Sequence, residues 1–358
     1  MKKNFYHQPK AISAFEAKFN ALKISFSPVT FQVSFCLYEL GILAFLSTCG
    51  EKGETAKEIA LKLNLSEYGV KVLLDVGLSM NLIWFKDDKF YVLDKTGLMF
   101  LSDPMVKVNL EFIQHTCYQG LFYLLDAIKT GKPEGLKVFG NWQSIYPALT
   151  SLPEKAQQSW FNFDHYYSDK SFKDLLKLVF KQKPKTLLDI GGNTGKWTLS
   201  CFNYDDNIRV TIADLPQQLE VAKKKVSEAG FSERFSAYPI NLLDQKSILP
   251  QGFDSIWMSQ FLDCFSEDEI LSILEKVKQS MNETTRVYIL ELFWDRQAFE
   301  PASFSINCTS IYFTAMANGN SRMYHSKDLI KLIHQVGLVI ENDVDDIGPG
   351  HTLLVCRK

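Results

Sequence analysis

The spacing of apolar positions changes along the chain and divides it in two. From Phe31 to Leu46 apolar residues fill almost every turn, interrupted by Gln32, Ser34 and Glu39, which predicts a helix buried on most sides. Thr55 and Glu58 then offer a capping box at the start of a short amphipathic helix, TAKEIALKLNL. A second helix is expected from about Ser66 to Met80, with Val70, Leu73, Leu74 and Leu78 at helical spacing. WFKDDKFYVL follows as two short strands around Lys86, Asp87 and Asp88. Two helices and a hairpin make a winged helix, preceded by an arm over residues 1–28 that ends near Pro28.

From Val106 to Phe180 the pattern is helical, with Gly131, Pro133 and Pro153 marking turns. After Lys181 it alternates between apolar strands and amphipathic helices. The strand candidates are KTLLDIG, RVTIADL, FSAYPIN, DSIWMSQF, RVYILEL and HTLLVCRK. Helices between them include Gln217–Ala229, stopped by Gly230, and Glu267–Met281, opened by a capping box of Ser266 and Glu269. That alternation predicts an α/β fold with a parallel, doubly wound sheet. The expected layout is an arm and winged helix over 1–105, a helical linker over 106–180 and the α/β domain over 181–358.

Composition narrows the function classes. A length of 358 suits two domains, and 39 basic against 41 acidic residues give a net charge of −2. No overall basic field exists to hold nucleic acid or an anionic membrane. The winged helix's recognition segment, SEYGVKVLLDVGLSMNL, offers one lysine against Glu67 and Asp75, so dimerisation or packing explains it better than DNA binding. Seven cysteines, without a CxxC pair, argue against a disulfide framework or zinc ribbon and for a reducing compartment. The charged N-terminus lacks an unbroken apolar run, and Phe31–Leu46 is too short to span a bilayer; a cytoplasmic protein with no membrane partner is expected. Aromatic residues reach 13%, with 27 phenylalanines, which suits either a thick core or a pocket for flat ligands.

The strongest chemical signal is LLDIGGNTG, Leu187 to Gly195: an apolar strand entering a glycine-rich turn and then a helix. Glycines let backbone approach a ligand closely. Asp214 closes the next strand, where a carboxylate can accept both ribose hydroxyls of an adenosine. The spacing is not the dinucleotide GxGxxG. An acid at Asp189 ahead of Gly191, Gly192 and Gly195 suits a cationic ligand, such as a sulfonium with an amino-acid tail, better than a pyrophosphate. A tight turn with no ligand is the plain alternative.

Asp189 to Gly195, then Asp214-Leu215-Pro216, then MSQFLDCFSEDEI together resemble the S-adenosylmethionine-dependent O-methyltransferases of the caffeic acid and hydroxyindole type, including bacterial secondary-metabolite members. The resemblance spans nearly the whole chain and implies a Rossmann-like methyltransferase domain behind a winged-helix dimerisation domain, hence a homodimer. It implies S-adenosylmethionine as methyl donor, S-adenosylhomocysteine as product and no metal. Asp189, Gly191, Gly192, Asn193 and Gly195 would line the methionine moiety; Asp214 and Leu215, the ribose. Asn241, where the family usually has Asp, and Leu242 would flank adenine, with Ser259 nearby.

The catalytic positions depart from that family. Plant members use a histidine as base and two glutamates to steady it. Those positions fall on Asp263, Glu291 and Met323. A phenol near pKa 10 facing an ordinary aspartate is mismatched by about 6 units, roughly 8 kcal/mol, so for Asp263 to serve as base it needs burial that raises its own pKa or a sulfonium that lowers the phenol's. His165, in FNFDHYYSD, stands where the family touches substrate and donor, and is a replacement candidate. His115, Phe161, Tyr166, Tyr312, Met316 and Asn318 would line the acceptor cavity; packing is the plain alternative for each.

The expected activity is methyl transfer to the oxygen of a small aromatic, phenolic acceptor, free or tethered to a carrier protein, in secondary metabolism. Transfer to a ring carbon, as in aryl-polyene-type pigment biosynthesis, is one alternative. A non-enzymatic winged-helix regulator or scaffold that keeps the donor fold is another.

Overall fold

The computed structural model describes residues 5–358 and divides them into two compact units, Tyr6–His115 and, together with Phe5, Thr116–Lys358. The break falls at 115/116 rather than at 105.

In the first unit part of the expected arm is a helix. Ser13 caps Ala14–Ser25, its hydroxyl accepting the Glu16 N–H at 3.1 Å, and a second helix, Ser27–Glu39, starts with Pro28 in its first turn. The arm's first four residues lie outside the described residues. The helix expected over 31–46 breaks at Gly41, whose φ of +75° ends one segment and admits the next, Ile42–Cys49. Half of the expected capping box forms: Thr55 Oγ1 accepts the Glu58 N–H, while the Thr55 N–H goes to Glu54 Oε1. Ser66 caps Glu67–Ser79. Strands β1 (Ile83–Lys86) and β2 (Phe90–Leu93) pair antiparallel, Trp84 opposite Val92. Leu37, Ile42, Leu43, Leu46, Ile59 and Leu74 make a closed core beneath them.

The second unit carries a seven-stranded sheet of β3 (Thr186–Ile190), β4 (Arg209–Asp214), β5 (Phe235–Pro239), β6 (Ser255–Ser259), β7 (Arg286–Glu291), β8 (Val339–Ile347) and β9 (His351–Arg357). Its order is β5-β4-β3-β6-β7-β9-β8. β3 to β7 run parallel, but β9 pairs antiparallel with both β7 and β8, so the sheet is mostly rather than wholly parallel. Strand alternation sorts the side chains to two faces. Leu188, Ile190, Ile256, Met258 and Ile289 meet helices Glu267–Ser280 and Ser326–Gln335 on one face. On the other, Leu187, Trp257, Tyr288 and Leu290 meet helices Phe172–Val179 and Lys196–Tyr204. Trp197 stacks on Trp257 there at 4.1 Å between centroids.

The parallel strands end together, which brings Ile190, Asp214, Ser259 and Glu291 to one edge, the edge where such sheets hold ligands. Among the described residues no single helix is long and apolar enough to cross a membrane.

Candidate active site

β3 delivers Asp189 into the interior, 2% exposed, with its Oδ2 accepting the Thr198 hydroxyl at 2.8 Å. Burial raises its pKa to about 7, against the pull of the Thr198 bond. The turn that follows needs its glycines for three different reasons. Gly191 has a φ of +71°, and a Cβ there would meet the Phe261 ring at 2.3 Å. A Cβ on Gly192 would stand 2.8 Å from Asp189 Oδ2. Gly195 has room around it and is fixed by its φ of +77° alone.

Asn193 ties this loop to the next strand. Its N–H donates to Asp214 Oδ2 at 2.9 Å, and the Leu215 N–H donates to Asp214 Oδ1 at 2.7 Å. Its Nδ2 donates to Asp164 Oδ2 at 3.3 Å, whereas its Oδ1 is buried without a hydrogen-bond partner. Burial raises Asp214 to about 6, opposed by the two backbone bonds. Beyond β5, Asn241 Oδ1 accepts the Leu243 N–H, and Lys276 Nζ bonds the carbonyls of Leu242 and Asp244, both at 2.6 Å. That loop is pinned from below, with Asn241 exposed and Leu242 buried. Ser259 ends β6 nearby in the sheet order.

Past β6 the chain makes a tight turn, Leu262–Cys264, that buries Asp263 to 5% exposure. Glu291, at the end of β7, builds this turn: its Oε1 accepts the N–H of Phe261 at 3.1 Å and of Leu262 at 2.8 Å. Its Oε2 has no partner. Asp263 and Glu291 front one narrow gap with Leu292, Phe293, Tyr324 and Leu329. Burial pushes Asp263 up to about 7, with the Cys264 thiol, 3.4 Å away, pulling it down. Glu291 goes well above the usual carboxylate range, first through burial and then through the charge of Asp263. Met323, 7% exposed, brings no carboxylate.

His165 lies on helix Glu154–Asp169, its ring parallel to Phe161 and its Nδ1 3.7 Å from Asp164 and 3.9 Å from Asp169. Burial, with the Lys196 charge, lowers it to about 4, which keeps the imidazole neutral at pH 7 but makes it a weak base. Tyr166 packs edge-on against Tyr167. Tyr312 is buried, its hydroxyl accepting the Trp160 indole N–H at 2.6 Å. Two of the expected lining residues serve the protein itself. Met316 is fully buried against Gly120, and Asn318 Nδ2 holds the Cys264 carbonyl at 2.6 Å, fixing the turn behind Asp263. His115 ends the other unit, where its ring meets Phe35 edge-on.

Sequence reasoning missed two groups. One is Asp164, whose signal was an acid set between aromatic residues in the middle of a helix. The other is Tyr146, whose hydroxyl is buried against the Cys264 thiol without a hydrogen bond of ordinary geometry. No local pattern marks it.

A buried acid under a glycine turn, a second acid closing the next strand and a base candidate after the fourth define a nucleoside-binding transferase of Rossmann-like architecture. Residues 122–338, more than half of the chain, match the family described as O-methyltransferase domain, and residues 18–90 match the Dimerisation2-like domain. The chain belongs to this O-methyltransferase family and is an S-adenosylmethionine-dependent methyltransferase. Among curated relatives, L-tyrosine C(3)-methyltransferase of Streptomyces lavendulae is 21% identical over 304 residues, covering 84% of this chain and 81% of that one. Demethylspheroidene O-methyltransferase of Cereibacter sphaeroides is 24% identical over 260 residues, 73% and 66% of the two chains. Among solved structures, the methyltransferase SibL superposes with a TM-score of 0.70 at 22% identity, covering 95% and 98%. NcsB1, solved with S-adenosylmethionine and 2-hydroxy-5-methyl naphthoic acid, gives 0.67 at 16%, covering 93% and 96%. At these identities the structural likeness shows the fold.

The donor-side groups fit S-adenosylmethionine. Asp189, Asp214 and the unpartnered Asn193 Oδ1 are all acceptors, which suits a ligand that presents an ammonium and ribose hydroxyls.

Proposed function

We propose that this protein transfers methyl to the oxygen of a small phenolic acceptor in secondary metabolism, with Asp263 as general base and Glu291 as the group that holds it in place. The observation that carries this reading is the burial of Asp263 beside Glu291 at the end of β6. With its pKa near 7, Asp263 faces a phenol across about 3 units, roughly 4 kcal/mol, instead of the 8 of an exposed aspartate.

Bound S-adenosylmethionine supplies an electrophilic methyl on a positively charged sulfur. Asp189, Gly191, Gly192, Asn193 and Gly195 hold its amino-acid end; Asp214 and Leu215, the ribose; Asn241, Leu242 and Ser259, the adenine side. Asp263 accepts the phenolic proton as the oxygen becomes nucleophilic. Glu291, which burial makes hold its proton more tightly than an ordinary carboxyl, fixes the Phe261–Asp263 turn. Phe161, Tyr166 and Tyr312 supply ring-packing surface, and neutral His165 orients rather than deprotonates. O-methyl transfer is supported by the family match. The N-terminal unit, through its Dimerisation2-like match, pairs two copies.

Calorimetry with S-adenosylhomocysteine tests the donor half, and heat at micromolar ligand is expected. Transfer from labelled donor to 4-hydroxyphenyl acceptors tests the other half. No heat at millimolar ligand ends the reading.

A further inference from the structure

Three carboxyls on the acceptor side of this site have no cationic partner. Asp263 is 5% exposed, Glu291 is 2% exposed with an unpartnered Oε2, and both front one gap. Asp164 projects from helix Glu154–Asp169, where its Oδ2 takes only the neutral Asn193 amide among the hydrogen bonds to that carboxyl. Its side chain keeps 27% exposure, so the carboxyl is partly open to solvent.

The lysine charges that reach Asp164 and His165, those of Lys196 and Lys225, both face Asp169 as well. Among the described residues no lysine or arginine forms an ion pair with Asp164, Asp263 or Glu291. Lys196 pairs with Asp169 at 2.6 Å. Buried Arg296 goes to Asp343 and Asp345, and exposed Arg322 to Glu267 and Asp328. His165, next to Asp164 in the helix, is held neutral by burial and by the Lys196 charge. The phenolic reading needs one proton acceptor here, so two further acids remain with no part in deprotonation.

An anionic group entering this space would find carboxyls facing it and no lysine or arginine paired with any of them, the Lys196 charge being taken up by Asp169. In a site poorly reached by water that repulsion is strong and little screened. An ammonium would find the reverse, and a neutral substituent would pass. Tyr146, with its unused buried hydroxyl beside the Cys264 thiol, offers a hydrogen bond but no charge.

We propose that the acceptor pocket discriminates by charge, taking phenols whose other substituents are neutral or cationic and rejecting aromatic carboxylates, with Asp164 as the residue that sets the preference. The proposal rests on the methyl-transfer reading above. It names a substrate class: hydroxyaryl amines, esters, amides or thioesters, not free hydroxyaryl acids.

Three probes with one 4-hydroxyphenyl ring test it: tyramine, methyl 4-hydroxyphenylacetate and 4-hydroxyphenylacetate. Each is measured for binding to the full-length enzyme saturated with S-adenosylhomocysteine, and for kcat/KM with S-adenosylmethionine. The acid is expected to bind at least tenfold more weakly than the ester and amine, with kcat/KM reduced by at least the same factor. Asp164→Asn and Asp164→Ser should both narrow the acid-to-ester ratio at least threefold. Acid binding equal to ester binding, an unchanged ratio in both variants, or no binding of any probe to the loaded enzyme overturns the proposal. Failure of S-adenosylhomocysteine itself to bind overturns the methyl-transfer reading instead, so the two failures are distinct.

Discussion

Glu291 Oε1 accepts the N–H of Leu262 at 2.8 Å, so the residue that ends β7 fixes the backbone immediately before Asp263. The same oxygen takes the Phe261 N–H, and the Phe261 ring fills the space that a Cβ on Gly191 would need. The acceptor-side acid pair and the donor-side glycine loop thus meet at one aromatic side chain. Methyl transfer needs both sides held at once.

Replacing Asp263 by Asn should lower kcat by about 10²–10⁴-fold while the Kd of S-adenosylhomocysteine changes little, since the base contributes to proton transfer and not to donor binding. Steady-state kinetics beside calorimetry checks this. A kcat within threefold of wild type would remove Asp263 from the mechanism.

The raised acids also set a pH dependence of stability. Asp189 and Asp263 titrate near 7 in the folded chain and near 3.9 when unfolded. The folded state therefore binds more protons between those values, and stability falls as pH rises from about 4 to about 7. The donor-free protein should melt at lower temperature at pH 8 than at pH 5.5. Asp263→Asn should flatten that dependence and raise the melting temperature at pH 8. Activity should run the other way, rising with pH through about 7 as the base loses its proton.

Glu291→Gln keeps an acceptor for the two backbone N–H groups, whereas Glu291→Ala strands them in the interior. The first variant should fold like wild type with reduced kcat. The second should lose about 1–3 kcal/mol for each stranded donor, read by urea denaturation.

Much of this was legible in the sequence, because strands buried on both faces and glycine turns leave local marks. LLDIGGNTG and the acid 25 residues on need no tertiary context to be noticed. β8 was missed because VIENDVDDI carries five acidic or amide side chains; it is a largely exposed edge strand, whose pairing with β9 is set by its neighbour and not by its own pattern. The break at Gly41 was hidden by apolar residues on both sides of it. Asp164 and Tyr146 depend on what the fold brings opposite them, which spacing along the chain does not record. Met316 and Asn318 were expected to line the acceptor cavity, but whether such a side chain faces a ligand or another part of the protein is decided by packing.

Asp214 accepts the Asn193 N–H of the glycine loop and the N–H of its own neighbour Leu215, so Asp214→Ala should both loosen that loop and remove the carboxyl proposed to hold the ribose. Losing a charged hydrogen-bond acceptor is worth about 1.5–3 kcal/mol, a weakening of roughly tenfold to over a hundredfold in the Kd of S-adenosylhomocysteine.

The helix Ala14–Ser25 buries none of its residues, and on one face it exposes Phe15 to 82%, Phe19 to 47% and Leu22 to 46%. Such a face is suited to a second copy of the chain. Phe15→Glu combined with Leu22→Glu should shift the protein from dimer to monomer in sedimentation velocity, with the fold retained by circular dichroism.

The most direct test is the position of the transferred carbon. The enzyme is incubated with methyl-labelled S-adenosylmethionine and methyl 4-hydroxyphenylacetate, and the product is examined by NMR. A methoxy signal on the ring is predicted, lost in the Asp263→Asn variant. A methyl on a ring carbon, or product formed equally well by that variant, would contradict the account.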